Sequence, residues 1–308
     1  MSQAVGARRL PRITVQLCTY NRRALLGRVL DALFHQDLDP DDYEIVLVDD
    51  GSTDGTYEDV IRALRPTCAL HLVRQGNGGL AHGRNVGIER ARGEIILFMD
   101  DDVLATPGLL AAHLRHHRAH RRSICRGVAI NVESFDALPK PEYSLRNYSG
   151  AYFWTTNVSL PVVLLNEAGR FDERFREYGW EDLELGFRLR RMGVPSILAP
   201  DAVVYHHKPK LEPSQFERTS RQARAQARTA RLFLEKHPHW RIALATGQVA
   251  PMLFLSEVAR RSGWPQLLES IARPGIVDNG WPLGMRRWAA SRLARSAYYD
   301  ELTNGARG

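Results

Sequence analysis

Three consecutive carboxylates, Asp100, Asp101 and Asp102, directly follow an apolar stretch, Ile95–Met99. Like charges held this close repel one another, which raises the free energy needed to keep all three acids ionised. A divalent cation would remove that repulsion, and carboxylate oxygens suit Mn²⁺ or Mg²⁺. Such a cation can bridge diphosphate oxygens and neutralise a leaving group. The alternative is a helix N-cap with extra solvated acids, because Pro107 soon begins a helix.

Two further polar clusters end predicted strands. Thr19, Tyr20 and Asn21 follow ITVQLC, and Asp49 with Asp50 ends YEIVLVDD. A carboxylate of the second cluster, Asp49 or Asp50, can accept a hydrogen bond from a base N–H or from ribose hydroxyls. Alternatively, it can cap the helix that follows. Two acidic strand ends would repel a bare phosphate. The pattern therefore favours a metal–nucleotide complex as the ligand.

The glycine-rich stretch RQGNGGLAHGRNVG is a weaker signal. It lacks the P-loop pattern, and it follows the third predicted strand, whereas a dinucleotide fingerprint follows the first. Arg84 lies within it near a predicted helix start. Its guanidinium can reach a phosphate or a base, or it can remain an ordinary surface arginine.

Two acids open the predicted helix EDLELGFRLRRMG. Glu181 and Asp182 in its first turn can complement the helix dipole. One of them can instead serve as general base for a hydroxyl nucleophile. The preceding Trp180 offers an apolar wall for a sugar ring.

The rest of that helix predicts packing. Leu185, Leu189 and Met192 form a stripe that we expect to be buried. Glu184 and Arg188 are spaced as an i,i+4 ion pair, which we expect on the exposed face.

Adjacent histidines, His206 and His207, end the predicted strand DAVVYHH. Neighbouring strand residues face opposite sides. Only one of the two can therefore point into a site at this sheet edge, either as a metal ligand or in a structural role.

Short apolar strands alternate with amphipathic helices, which predicts βαβ units and a mostly parallel sheet. Ligands bind such sheets beyond the carboxyl ends of the strands, so the polar clusters should face one crevice. YEDVIRAL is predicted as a helix, and residues 133–150 as a loop over the site. From about residue 214 the chain is predicted as helices interrupted by prolines, with ALATGQVAPMLFLSEVA as a buried helix pair.

The chain has 308 residues and a net charge of +7. Residues 1–211 carry 27 basic and 27 acidic residues, so the excess comes from the 15 basic and 8 acidic residues of 212–308. We therefore expect one domain over residues 1–211 and a basic helical region over 212–308. No long apolar run and no signal peptide is evident, and the cysteines are few and scattered. These features predict a cytoplasmic protein, with the basic region touching the inner face of the membrane.

Seven motifs, taken in order, resemble the family 2 glycosyltransferases of the GT-A fold and span residues 13–207. They are TYNR, EIVLVDDGSTDGT, NGGLAHGRNVGI, GEIILFMDDDV, TTNVSL, GRFDERF and GWEDLELGFRL. The resemblance implies a Rossmann-like, mixed and mostly parallel sheet flanked by helices, followed by a helical C-terminal appendage. It also implies an inverting hexosyl- or hexosaminyltransferase that moves a sugar from a nucleotide diphosphate, UDP by family habit, to an acceptor hydroxyl.

The resemblance assigns roles by position. The nucleotide sugar would contact Thr19, Tyr20, Asn21, Asp49, Asp50, Arg84, Asp100 and Asp101. Mn²⁺ or Mg²⁺ would be bound by Asp102 and His206, with His207 as the alternative. Asp182 would be the catalytic base, and Glu181 would orient the acceptor or replace Asp182. Trp180 and Asn157 would line the pocket for acceptor and sugar.

Two other functions are weighed against this one. A sugar-nucleotide nucleotidyltransferase would carry a glycine-rich loop with arginine after the first strand, where this chain has TYNRRALLG. A basic adaptor for acidic lipid or nucleic acid would leave the aspartate clusters unexplained, and no nucleic-acid motif is visible. The expected partners are a nucleotide sugar, an unidentified hydroxyl acceptor and a peripheral membrane contact but no nucleic acid, and a homodimer is left open.

Overall fold

The computed structural model describes residues 10–144, 147, 149–272 and 282–304. Parts of the predicted loop (145, 146 and 148) and Pro274 of the C-terminal region lie outside the described residues. The chain divides into two units. Unit 1 comprises residues 1–176 and 182–209, and unit 2 comprises residues 177–181 and 210–308.

Unit 1 is built on one eight-stranded mixed sheet with the strand order β3-β2-β1-β4-β7-β6-β8-β5. The strands are β1 Ile13–Thr19, β2 Tyr43–Asp49, β3 Ala69–Arg74, β4 Ile95–Asp100, β5 Val103–Ala105, β6 Ile124–Val132, β7 Asn157–Pro161 and β8 Ser196–His207. Strands β1 to β4 pair in parallel, whereas β7 runs antiparallel to both β4 and β6. Strand β8 is parallel to β6 and antiparallel to β5. The mixed, helix-flanked sheet expected from the sequence is confirmed.

The helices of the sheet-bearing part of the chain are α1 Leu26–Phe34, α2 Leu80–Arg90, α3 Leu109–Ala119, α4 Val162–Ala168 and α5 Glu181–Arg191. They form where apolar residues recur at helical spacing: in α1, Leu26, Val29, Leu30 and Leu33 are all buried. The predicted helix YEDVIRAL is replaced by a π-helical turn over Thr56–Val60 and a 3-10 turn over Ile61–Ala63. The helical turns end at Leu64, whose backbone is already extended with ψ of 147°.

Strand order decides which residues meet at the site. The central strands β2, β1 and β4 are apolar and fully or nearly fully buried along their length. Because all three run in the same direction, their carboxyl ends lie at one edge of the sheet. Thr19 pairs with Asp49 across β1 and β2, and Cys18 pairs with Asp100 across β1 and β4.

Unit 2 contains the helices α6 Phe216–Lys236, α7 Trp240–Ala245, α8 Ala250–Arg261, α9 Trp264–Ala272 and α10 Leu283–Asn304. Leu268 and Ile271 of α9 pack with Ala289 and Leu293 of α10. The expectation of a buried helix pair is wrong for α8, since none of its residues is buried. By length and composition alone, one segment within the described residues, Trp240–Arg261, could cross a membrane.

Candidate active site

The three polar clusters meet at the carboxyl edge of the sheet. The backbone N–H of Asp50 donates to the carbonyl of Thr19 at 2.9 Å. The N–H of Tyr20 donates to Asp101 Oδ2 at 3.4 Å. The ends of β1, β2 and β4 thus bring acids from distant parts of the chain together, as strand direction predicts.

Arg22 lies among these acids and was missed by the sequence analysis. Its Nε donates to Asp101 Oδ1 at 2.9 Å, and one terminal nitrogen donates to Asp102 Oδ2 at 3.0 Å. The guanidinium therefore supplies a positive charge to two of the three consecutive carboxylates. Arg22 is the last residue of the TYNR motif. The residues around it in the sequence do not reveal that its side chain reaches carboxylates about 80 positions later in the chain.

One arginine does not fully compensate for this acidic cluster. Burial raises the pKa of Asp101 to about 6; Arg22 opposes the shift and Asp102 adds to it. Burial, followed by the charge of Asp100, raises the pKa of Asp102 to about 6 against the effect of Arg22. Burial is the main cause of both raised pKa values, and further positive charge would stabilise the ionised carboxylates.

His206 lies beside Asp102. Its Nε2 is 3.7 Å from Asp102 Oδ1, because β5 and β8 pair antiparallel with Val103 opposite His206. Its Nδ1 is buried with no hydrogen-bond partner among the described residues. The ring of His207 lies instead 5.6 Å from the ring of Phe135, so the two histidines diverge as strand alternation requires.

Asp102 and His206 fit a divalent cation in part. Within the described stretches of the chain, no three His, Cys, Asp or Glu side chains form a metal-binding group. A carboxylate oxygen and an imidazole nitrogen are suitable ligands for Mn²⁺, and such ions commonly take their remaining ligands from substrate phosphates and water. His206 Nε2, at 3.7 Å from Asp102 Oδ1, is the nitrogen that could share a cation with that carboxylate.

Asp100 is held by a different set of side chains. Thr156 Oγ1 donates to Asp100 Oδ2 at 2.8 Å, and Arg84 lies 3.4 Å from Asp100 Oδ1. The Arg84 side chain is buried, donates to Thr155 Oγ1 at 2.8 Å and lies over the ring of Phe171. Arg84 is therefore a buried cation that orients Asp100. The sequence analysis did not predict the contacts made by the hydroxyls of Thr155 and Thr156.

The Asp49 and Asp50 carboxylates organise the loops that follow β2 and β3. Asp49 is fully buried and accepts from the N–H of Ser52 at 3.0 Å. Asp50 accepts from Gln75 and from the N–H groups of Gly78 and Gly79 at 2.8 to 2.9 Å. Asp49 thus fixes the loop after β2, and Asp50 fixes the glycine-rich loop at the sheet edge.

Tyr20 and Asn21 differ in exposure and role. The Tyr20 side chain is 48% exposed at this edge and is free to face a ligand. Asn21 has a left-handed backbone with φ of 55°, and its Oδ1 accepts from the N–H of Thr53 at 2.8 Å. Asparagine tolerates this conformation better than most residues, so Asn21 shapes the turn after β1.

The assignment of Asn157 to a sugar pocket is wrong. Its side chain is buried, and the amide donates to the carbonyls of Val128 and Ala202 at 3.2 and 3.0 Å. Its Oδ1 is 2.9 Å from His113 Nε2. Both donors and the acceptor are therefore committed to the fold, and no polar atom is left for a ligand.

The exposed ion pair expected in α5 is buried instead. Glu184 is fully buried and receives bonds from Arg188 at 2.7 and 2.9 Å. Arg188 also donates to the carbonyls of Ala168 and Arg170, which joins α5 to the end of α4. Met192 is 42% exposed, so the predicted stripe holds only for Leu185 and Leu189. Helical spacing alone does not reveal which face is covered.

Asp182 lies in the first turn of α5, and its Oδ1 accepts from the N–H of Leu183 at 2.7 Å. The positive end of the helix dipole favours the ionised carboxylate there. The neighbouring Glu181 is buried. Trp180 has a left-handed backbone with φ of 69° after Gly179 at 105°.

Trp180 lines a cavity within unit 2. Its Nε1 donates to the carbonyl of Gln226 at 2.9 Å, which fixes the plane of the ring. The cavity has a volume of about 540 Å³. Its lining mixes aromatic, amide and hydroxyl side chains, among them Tyr178, Trp180, Thr219, Gln222, Gln226 and Tyr298.

Comparison with solved structures places the fold among the GT-A glycosyltransferases. *Staphylococcus aureus* TarS residues 1–349 superpose with a TM-score of 0.58 at 20% identity, covering 96% of this chain and 92% of TarS. A mannosyltransferase from *Pyrobaculum calidifontis*, solved with GDP-Man and Mn²⁺, gives 0.59 at 23% identity, covering 96% of this chain and 86% of that one. At these identities the similarity concerns the fold alone.

The family model for glycosyl transferase family 2 matches residues 14–171, and the chain belongs to this family. Validoxylamine A glucosyltransferase of *Streptomyces hygroscopicus* subsp. *limoneus* is 31% identical over 231 residues, covering 63% of this chain and 51% of that protein. Chondroitin synthase of *Escherichia coli* is 26% identical over 74% of this chain and 39% of its own length. The chain thus spans about half or less of these relatives.

Proposed function

We propose that this protein transfers a hexosyl or hexosaminyl group from a nucleotide diphosphate sugar to an acceptor hydroxyl, with inversion at the anomeric carbon. UDP is the proposed nucleotide. The observation that carries this proposal is the meeting of Asp50, Asp100 and the Asp102–His206 pair at one sheet edge. TarS solved with UDP-GlcNAc and the mannosyltransferase solved with GDP-Man and Mn²⁺ support it by similarity of fold.

The nucleotide is assigned to the edge formed by β1, β2 and β4. Tyr20 offers an exposed aromatic face for a base. The Asp100 carboxylate, oriented by Arg84 and Thr156, is partly exposed and can accept from ribose hydroxyls. Asp50 supports this side by holding the glycine-rich loop in place.

Asp102 and His206 would hold the divalent cation, Mn²⁺ or Mg²⁺. When bound, this cation supplies charge stabilisation of several kcal/mol to the departing nucleotide. Arg22 already donates to Asp102 and holds that carboxylate in position. Its second contact, at 2.9 Å from Nε to Asp101 Oδ1, holds the neighbouring carboxylate as well.

The transfer is a single displacement. Asp182 accepts the proton of the acceptor hydroxyl while the oxygen of that hydroxyl forms a bond to the anomeric carbon. The bond from that carbon to the diphosphate breaks on the opposite face, and the nucleotide diphosphate leaves with the electron pair. The helix dipole at the start of α5 keeps Asp182 ionised until the hydroxyl becomes acidic in the transition state.

We propose the cavity of unit 2 as a binding site for a hydroxylated ring such as that of a sugar. Trp180 presents an aromatic face to a cavity that also contains the amides of Gln222 and Gln226. Aromatic faces and amide groups suit a hydroxylated ring, which is apolar on its faces and polar around its rim.

All three cysteines are free thiols, which supports a reducing cytoplasmic location.

A panel of nucleotide sugars tests this function. Thermal shift and nucleotide release are measured with Mn²⁺ and then with a chelator. We expect one sugar nucleotide to raise the melting temperature only when Mn²⁺ is present, and slow nucleotide release to follow the same dependence. Asp31→Asn, which alters an exposed carboxylate of α1, serves as the matched control. Stabilisation that is equal with the chelator would contradict the metal-assisted reaction.

A further inference from the structure

Exposed apolar side chains are concentrated in one part of the chain. Of the nineteen exposed large hydrophobic residues that the structure describes, eleven fall between residues 240 and 288. They are Trp240, Leu244, Met252, Phe254, Leu255, Val258, Trp264, Leu267, Leu283, Met285 and Trp288. Single exposed apolar residues are ordinary, but a cluster of this size marks an interaction surface. We call these eleven residues the apolar face of unit 2.

Helix α8 is apolar on both of its sides. Leu253 points inward, where it packs half-buried against Ala227, Ala230 and Leu302. Phe254 and Leu255 point outward and are 68% and 65% exposed. The apolar side of a helix is normally buried against protein or in a membrane. None of the residues of α8 is buried, so its outer side lacks a covering layer within the described chain.

Helix α9 repeats this arrangement. Leu268 and Ile271 are buried against α10, whereas Trp264 and Leu267 are 46% and 48% exposed. The Trp264 ring lies 6.4 Å from the ring of Trp288 on α10. The outward apolar residues of α9 and α10 therefore join in one surface.

Tryptophan and arginine pairs accompany this surface. The Arg241 guanidinium lies 5.2 Å from the Trp240 ring, and the Arg292 guanidinium lies 5.7 Å from the Trp288 ring. Tryptophan is enriched at the boundary between lipid tails and headgroups, where its ring is partly apolar and partly polar. Arginine extends its charge toward headgroups while its stem covers apolar surface.

The charge of the same segments favours an anionic partner. Residues 240–272 and 282–292 contain six arginines, at 241, 260, 261, 286, 287 and 292, and two glutamates, at 257 and 269. Arg260 and Arg261 pair with Glu257, so the arginines most closely joined to the apolar face are Arg241 and Arg292, which lie over exposed tryptophan rings. The net positive charge of residues 240–272 and 282–292 thus coincides with the exposed apolar residues.

The Trp240–Arg261 segment packs against other helices of unit 2 and does not form one straight helix. It is broken between α7 and α8, where Gly247 has φ of 71°. Tyr298 donates to the carbonyl of Thr246 at 2.7 Å, and Gln248 donates to the carbonyl of Ala230 at 2.9 Å. Crossing a bilayer would break these bonds, whereas lying in the headgroup region keeps them.

We propose that the apolar face of unit 2 binds the surface of a lipid bilayer that contains anionic headgroups. Phe254, Leu255, Trp264 and Leu267 enter the boundary between headgroups and acyl chains, and the arginines at its rim contact phosphate groups. This binding does not depend on the sugar nucleotide, so it stands or falls separately from the proposed transfer.

Vesicle flotation of the full chain tests the proposal. Vesicles of phosphatidylcholine alone are compared with vesicles of phosphatidylcholine and phosphatidylglycerol. We expect wild-type protein to float with the anionic vesicles and Phe254→Ser with Leu255→Ser to weaken binding about tenfold or more. The matched control, Leu72→Ser with Val163→Ser, removes two exposed apolar side chains from unit 1 and should float like wild type.

Two further measurements keep the test decisive. Arg241→Gln with Arg292→Gln should reduce binding to anionic vesicles, and added salt should reduce wild-type binding in the same way. Light scattering measures whether the Phe254 and Leu255 variant changes the oligomeric state. Wild-type protein that fails to float, a control variant that loses as much binding, or an apolar face occupied by a second copy would each overturn the proposal.

Discussion

A terminal nitrogen of Arg22 lies 3.0 Å from Asp102 Oδ2, so the chain supplies its own counter-charge to the acidic strand end. The same side chain pairs with Asp101 at 2.9 Å. Arg22 thus offsets part of the repulsion at Asp101 and Asp102, whereas Asp100 is held by Thr156 and Arg84. In the proposed metal site, Arg22 and the cation would both act on the Asp102 carboxylate.

Replacing Arg22 should therefore destabilise the protein and increase its response to metal. We expect Arg22→Gln to lower the unfolding free energy by about 1–2 kcal/mol, allowing for partial solvent screening. Mn²⁺ should then raise the melting temperature more in the variant than in wild type. Arg23→Gln, whose side chain is 60% exposed beside Asp59, is the control. Equal effects of both substitutions would show that Arg22 has no special relation to the acids.

The two adjacent histidines should differ in their effect on metal binding. His206→Ala and Asp102→Asn should each abolish the Mn²⁺-dependent stabilisation by nucleotide sugar, because their side chains face each other at 3.7 Å. His207→Ala should retain that stabilisation, since its ring contacts Phe135. Calorimetry with and without Mn²⁺ provides the measurement. Loss of metal-dependent binding in His207→Ala alone would reverse the assignment.

Asp182→Asn should separate binding from chemistry. Asparagine keeps the shape of the side chain but cannot accept the acceptor proton, so transfer should fall by about 10²–10⁴-fold. The affinity for nucleotide sugar should stay unchanged, as measured by calorimetry. Asp136→Asn is a carboxylate control from the same unit, since the Asp136 side chain is 78% exposed and pairs with Arg28 at the surface. Wild-type turnover in Asp182→Asn would exclude it as the base.

The buried pair in α5 should be costly to break. Glu184→Gln removes the charge that neutralises Arg188, and we expect the unfolding free energy to fall by about 3–5 kcal/mol. Glu257→Gln, which breaks exposed contacts with Arg260 and Arg261 at the same helical spacing, should leave stability nearly unchanged. Chemical denaturation of both variants makes the comparison. Similar losses would mean that burial does not distinguish the two pairs.

Stability should fall as the solution becomes acidic because of two buried histidines. Burial lowers the pKa of His113 to about 3 and the pKa of His117 to about 4. Below about pH 6.5 the unfolded chain binds protons that the folded chain excludes, so unfolding becomes easier as pH falls toward those values. Each histidine contributes a slope of at most about 1.4 kcal/mol per pH unit. Above pH 6.5 both histidines are neutral in the folded and in the unfolded chain. Their contribution to the free energy of unfolding then no longer changes with pH.

Denaturation measured between pH 4 and pH 8 tests this dependence. His113→Gln should flatten the curve, although it also disturbs the contact with Asn157. His35→Gln changes an exposed histidine and should leave the slope as in wild type. A slope that is unchanged in the His113 variant would assign the acid sensitivity to other groups.

Local pattern in the chain was enough to predict the sheet and the edge that carries the site. Apolar runs such as Ile13–Thr19 and Tyr43–Asp49 become buried strands because no other regular structure hides both faces of so short a segment. Parallel direction then places their polar ends together. The helix predicted for YEDVIRAL was wrong, because the segment forms a π-helical turn followed by a 3-10 turn.

What a side chain touches across long chain separations was decided by the tertiary structure alone. Strand order brings together residues that lie far apart in the chain. Arg22 therefore donates hydrogen bonds to Asp101 and Asp102, and the Asn157 side chain bonds His113 and two carbonyls. Burial was equally invisible in the sequence: the same i,i+4 spacing gives a buried pair at Glu184 and an exposed one at Glu257. Sequence periodicity determines which residues share a face, but only packing determines whether that face meets protein or solvent.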